Sequence, residues 1–221
     1  MYNPPIEVTI NEVPGMSITA TAANVSCYGG TDGSILVGVT GGTPYYQYSL
    51  DGSVFQTDNE FIDLTAGPYT ITVKDANNCI VVSDAVTITQ PEFALSAEIT
   101  AQTNVSCNGG SDGFATVTAD GGTPTYTYLW SDGQTTATAT GLTAGSYTVV
   151  VTDANGCSTE PIPVTIGEAT LLTASITDQG DASCNGGSDG FATVTADGGT
   201  PTYTYLWSDG QTTATATGLT A

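Results

Sequence analysis

The stretch "SCNGGSDGFATVTADGGTPTYTYLWSDGQTTATATGLTA" occupies Ser106–Ala144 and returns letter for letter as Ser183–Ala221. An earlier, diverged copy opens with "NVSCYGGTDGSILVGVTGGTPYYQYSLDG" at Asn24–Gly52. The first cysteine of each copy, Cys27, Cys107 and Cys184, recurs after 80 and then 77 residues, and a second cysteine, Cys79 and then Cys157, recurs after 78. A period near 80 residues is too long for leucine-rich or ankyrin-type repeats, so each copy reads as a small domain in a tandem array.

Comparing the copies shows which positions face inward. Ala115, Val117 and Ala119 answer to Ile35, Val37 and Val39. Tyr126, Tyr128 and Trp130 answer to Tyr46, Tyr48 and Leu50. Tyr147, Val149 and Val151 answer to Tyr69, Ile71 and Val73. The residues between them are mostly Thr and Ser, plus the lone Lys74, the period-two pattern of antiparallel strands with one face in a core. Turn signals separate these runs: "GGTP" (Gly121–Pro124), "SDGQ" (Ser131–Gln134), which reads as a tight hairpin, and "DANG" (Asp153–Gly156). The count comes to six or seven strands per repeat. The expected fold is therefore all-β: immunoglobulin-like β-sandwiches of about 80 residues, arranged end to end. The Tyr of "LTAGSYTVVV" stands where such a sandwich has a tyrosine corner.

The expected divisions are 1–13 as the closing strand of a preceding repeat, 14–91 as repeat 1, 92–168 as repeat 2 and 169–221 as an incomplete repeat 3. The first follows from "IEVTINE" (Ile6–Glu12), which matches the closing strands "AVTITQP" and "PVTIGEA". The short joints "TQPEF" and "GEATL" imply limited bending between repeats.

Composition narrows the function. One basic residue, Lys74, stands against 22 acidic ones, for a net charge of −21, and there is no His. Nucleic-acid binding needs cations to neutralise phosphates, so it is excluded. An anionic membrane surface would repel the chain, and no run of 18 apolar residues exists to insert. "MYNPPIEVTINEV" lacks the basic and apolar regions of a signal peptide. Without His, the Ser-His and Cys-His arrangements are ruled out, and almost all of the Asp residues fall in turns, so no enzyme is expected.

Two cysteines at fixed places in each repeat suggest one bond within each repeat. The expected pairs are Cys27–Cys79 and Cys107–Cys157, with Cys184 unpaired. Zinc is the rival, but two cysteines per unit and no His fall short of four ligands. Disulfides imply an oxidising compartment. No cofactor is expected, with calcium as the one candidate. Asn108, Asp112, Asp153 and Asn155 could converge near the disulfide, although turn geometry explains the same residues. Asn24 and Asn104 begin N-x-[ST] sequons that would be silent in a bacterial protein.

The motifs "SCNGGSDG", "GGTPxYxYxW" and "AGxYTVxVTDANGC" together resemble the SprB repeat of very large surface adhesins in gliding Bacteroidetes. The resemblance spans nearly the whole chain, and only Tyr48–Leu64 departs from it. It implies an exported cell-surface filament, secreted by the type IX system and moved by the gliding machinery through other parts of its parent chain. Its partners would be neighbouring repeats and an external substratum or polysaccharide. The leading expectation is a structural stalk segment serving adhesion and gliding. The alternative is weak, multivalent carbohydrate binding, calcium-assisted or not, through the off-parity aromatics Tyr45, Phe55, Phe114 and Phe191.

Overall fold

The computed structural model describes residue 7 and residues 12–220. The closing strand expected over Ile6–Glu12 lies almost wholly outside them. The described residues contain 17 strands and no helix, hence no helix long and apolar enough to cross a membrane. Two compact units emerge. Unit 1 is Met1–Ser96 with Asp120–Tyr126 and Thr152–Ser158; unit 2 is Ala97–Ala119, Thr127–Val151 and Thr159–Ala221.

Unit 1 holds β1 (Ser17–Ala23), β2 (Gly33–Thr40), β3 (Gln47–Ser49), β4 (Glu60–Leu64), β5 (Gly67–Tyr69), β6 (Thr72–Lys74), β7 (Ile80–Val82) and β8 (Val86–Ile88). One sheet has the order β1-β2-β4, a second β3-β6-β7, and β5 pairs with β8. The core between them gathers Ile35 and Val37 from β2 with Tyr48, Phe61, Ile71, Val73 and Ile88. Most of these belong to the inward sets read from the repeats or to the closing strand. Each fully buried Ile or Val contributes about 1.5–3 kcal/mol of transfer free energy.

Apart from single end residues of β9, β10 and β13, unit 2 holds β9 (Ser96–Thr103), β10 (Gly113–Asp120), β11 (Thr127–Trp130), β12 (Thr138–Leu142), β13 (Gly145–Thr152), β14 (Ile162–Ile166), β15 (Thr173–Gly180), β16 (Gly190–Asp197) and β17 (Thr215–Leu219). The second repeat supplies the sheets β12-β10-β9 and β11-β13-β14. Ala115, Val117, Trp130, Ala139, Leu142, Val149 and Val151 are buried between them. Tyr147 donates its hydroxyl to the Thr143 carbonyl at 3.1 Å, and Tyr69 does the same to Thr65 at 2.9 Å, so both complete repeats carry a tyrosine corner.

Two local features depart from plain strand pairing. A bulge interrupts the β10–β12 ladder between Gly113 and Phe114, and the extra residue is Gly141 at φ 67°. The diverged copy makes its bulge with Asp63 at φ 58°, a residue that tolerates the left-handed region better than most. The turn Ser131–Gln134 is tight, with the Trp130 amide donating to Gln134 O at 2.9 Å, but it is not a hairpin between paired neighbours. β11 lies in one sheet and β12 in the other. Gln134 makes the crossing possible: its Nε2 donates to Thr140 O at 2.9 Å and its Oε1 accepts from Thr140 N at 3.0 Å, replacing a strand partner.

The third copy offers a controlled comparison. Its sheet is β15-β16-β17, and no counterpart of β13 lies among the described residues. "TYLW" is strand β11 at Thr127–Trp130, yet the same letters at Thr204–Trp207 carry no strand assignment. Trp130 is 1% exposed, whereas Trp207 is half-buried.

Candidate functional site

The recurring polar features of each repeat fall in two loops. The head loop, which holds the first cysteine, is folded by its own sequence. Asp32 Oδ1 accepts from Ser26 N at 3.0 Å, Asp112 Oδ1 from Ser106 N at 3.0 Å and Asp189 Oδ1 from Ser183 N at 2.9 Å. Gly30, Gly110 and Gly187 donate to the carbonyls of Cys27, Cys107 and Cys184. The serine side chain and then its amide hold each aspartate below the usual carboxylate range. Asn24 and Asn104, the sequon residues, serve the fold: their Oδ1 atoms accept from Thr89 N and Gly167 N, both at 2.9 Å. That ties the entry segment to the closing strand.

The tail loop, which holds the second cysteine, is built on a nearly buried aspartate. Asp153 Oδ1 accepts from Asn155 N and Cys157 N, both at 2.9 Å, and its Oδ2 accepts from Thr123 N at 2.8 Å. Asp75 does the same with Asn77, Cys79 and Thr43. Burial of Asp153 works against its charge, but the N–H groups of Thr123, Cys157, Asn155 and Gly156 outweigh it and lower its pKa. For Asp75 the Thr43 amide is the largest cause of the same lowering. The folded value lies below the unfolded one, so this stabilisation is present above the usual aspartate pKa near 3.8 and is lost as pH falls toward the folded value. Asp153→Ala strands three amides, at a cost of about 1–3 kcal/mol. Thermal melts should show the variant less stable at pH 7 and the gap to the native chain narrowing below about pH 4. A gap independent of pH would mean that the carboxylate charge is not what holds the loop.

The cysteine pairing differs from the sequence expectation. The disulfide joins Cys27 to Cys157, with Cα atoms 5.8 Å apart, and Cys79, Cys107 and Cys184 are free and exposed. Cys27–Cys79 and Cys107–Cys157 are not formed. The reason is the length of one strand. Cys27 precedes β2, whereas the tail loop of the same repeat grips Thr43, beyond the end of β2. Eight strand residues span about 26 Å, and a disulfide tolerates about 4.4–6.8 Å between Cα atoms. The head and tail loops of repeat 1 therefore sit at opposite ends of its sandwich. Inside unit 1, the head loop of repeat 1 meets the tail loop of repeat 2. Asn155 Nδ2 donates to Ser26 O at 3.0 Å beside the disulfide.

The calcium candidates fall in different units. Asn108 and Asp112 belong to a head loop and Asp153 and Asn155 to a tail loop, with β10 between them in the chain. Asn108 Nδ2 donates to Ala169 O at 3.2 Å, and the carboxylates are occupied by the amides named above. Among the described residues, no three His, Cys, Asp or Glu cluster as metal ligands. Of the aromatic candidates, Tyr45 is 90% exposed, whereas Phe55, Phe114 and Phe191 are half-buried. Lys74 Nζ stands 4.6 Å from the centroid of the Phe55 ring. In the letters, the asparagine of "DANGC" reads as a turn residue or a calcium candidate. Its link to Ser26 has no local signal, because the partner lies 129 residues away.

The family model described as "SprB repeat" matches three times, over residues 19–55, 99–135 and 176–212, together half of the chain. Each match runs from within the entry strand through the head loop and the strand that follows it, and the first two end just past β3 and β11. No curated protein matches the chain. Among solved structures, the three N-terminal domains of the bacteriophage RB49 Highly Immunogenic Outer Capsid protein share 21% identity at a TM-score of 0.40, covering 84% of this chain and 70% of that one. Domains 4–9 of the surface layer protein SbsC share 14% identity at a TM-score of 0.27, covering 94% of this chain and 38% of theirs. At these scores neither likeness carries an assignment.

Proposed function

The chain belongs to the SprB repeat family, and on that footing we propose that it is a tension-bearing stalk segment of a long, exported cell-surface adhesin that serves adhesion and gliding. The observation that carries this reading is the covalent bridge between the head loop of one repeat and the tail loop of the next. A stalk transmits tension across the joints between its domains, and a covalent bond at a joint resists that tension. The anionic composition keeps neighbouring filaments soluble and apart. A non-catalytic role fits the absence of His from the sequence and aspartates engaged in folding their own loops.

Force spectroscopy on the tethered chain tests the reading. With the bond intact, a segment of sequence separation 130 cannot extend. Reduction should add roughly 45 nm of contour length. An unfolding trace unchanged by reductant would refute the tension-bearing role. A second reading, weak carbohydrate binding, is favoured only by Tyr45, held at φ 78° with its ring in solvent. Thr125 and Thr202 stand at its place in the other copies. A glycan array with no signal for the native chain, or equal signal for Tyr45→Ala, would dispose of it.

A further inference from the structure

The loops of the repeats share the contacts that anchor them, and this extends the bonding pattern beyond the one bridge present. In the head loops, Val25 N donates to Thr89 O and Val105 N to Gly167 O; Gly29 N donates to Gln90 Oε1 and Gly109 N to Glu168 Oε2. In the tail loops, Asn77 Nδ2 donates to Thr43 Oγ1 and Asn155 Nδ2 to Thr123 Oγ1. The cysteines are thus of two kinds: Cys27, Cys107 and Cys184 sit in head loops, and Cys79 and Cys157 in tail loops. The bond that exists joins a head cysteine to the tail cysteine of the following repeat.

Cys107 is placed for the same bond. In unit 2 its loop is tied to the opening of the third repeat, through Asn108 to Ala169 O and Gly109 to Glu168. The next residues reach the turn on which a tail loop docks: Gly199 N donates to Thr170 O at 2.8 Å, as Gly122 N donates to Phe93 O at 2.9 Å. Thr200 there answers to Thr123, the residue that seats Asp153.

We propose that the disulfide of this repeat is a joint bond, made from the head-loop cysteine of each repeat to the tail-loop cysteine of the next, and that Cys107 is the docking thiol for a tail loop of the Gly145–Cys157 kind following the third copy. In each such step two thiols lose two protons and two electrons to form one S–S bond. A small-molecule disulfide such as oxidised glutathione takes them up and leaves as two thiols. The inference depends on the tandem repeats and not on the stalk reading.

The test appends a second copy of residues 145–168 after Ala221, folds the extended chain in a glutathione redox buffer, alkylates it, and maps chymotryptic peptides without reduction. The Cys107 and Cys184 peptides differ in the residues before the cysteine, so they are told apart by mass. The expected map keeps Cys27–Cys157, adds a bond from Cys107 to the appended cysteine with near-complete loss of Cys107 alkylation, and leaves Cys79 and Cys184 alkylated. In the extended chain with Cys107→Ser, the appended cysteine should be alkylated. Bonding of the appended cysteine to Cys184, or a Cys107 that stays alkylated, overturns the proposal. So does a Cys27–Cys79 or Cys107–Cys157 bond in the unextended chain.

Discussion

Cys157→Ser should lower the stability of the chain more than any other single substitution. The bond it removes spans a sequence separation of 130, and closing a loop of that length is worth about 5 kcal/mol of unfolded-state entropy. For a chain of this size that corresponds to a fall in melting temperature of about 10–20 °C. Both complete repeats keep their own cores, so the variant still folds. What it loses is the constraint that makes the two repeats unfold together, and the thermal transition should broaden or split. Calorimetry with and without reductant checks this. Reductant should bring the native chain down to the variant and leave the variant unmoved. Coincident melts of native chain and variant without reductant would show that the bridge contributes nothing.

Trp130→Ala should cost about 3–5 kcal/mol. The indole is 1% exposed, and its Nε1 donates to Thr136 O at 2.9 Å, so truncation leaves both a cavity and an unpaired carbonyl. The chain contains its own control. Trp207 has the same neighbours in sequence and the same Nε1 bond, to Thr213 O at 2.8 Å, but no sheet covers its other face among the described residues. Trp207→Ala should cost about 1–2 kcal/mol. These are the only two tryptophans, so each variant leaves the other as sole fluorophore for denaturant titration. Equal losses would mean that the buried environment of Trp130 does not set its contribution.

Much of the fold is legible in the letters because the chain compares itself with itself. Ile35 and Ala115, and likewise Ile71 and Val149, are different residues in equivalent places, and each is buried. That is the signature of an inward position. The tyrosine corner is legible for a similar reason: Tyr69 and Tyr147 each follow a Thr by four residues, and the bond they make is local. The turn at Asp132–Gly133 is legible as a turn but not as an arch between sheets. That distinction depends on the partner of β12, and the partner is remote in sequence. The candidate site is half legible. Its residues stand out in the repeats, and their grouping does not.

The all-β class, the repeat period, the inward face of the three core strands and the turns between them follow from the letters alone. They rest on alternation and turn residues, which nearby residues specify. Which cysteine meets which is settled only in three dimensions. Spacing along the chain brings Cys27 nearest to Cys79, but the eight residues of β2 hold their loops about 26 Å apart. The chain then delivers Cys157, 130 residues on, to bonding distance. A rigid strand converts closeness in sequence into distance in space, and the order in which domains follow one another converts distance in sequence into contact.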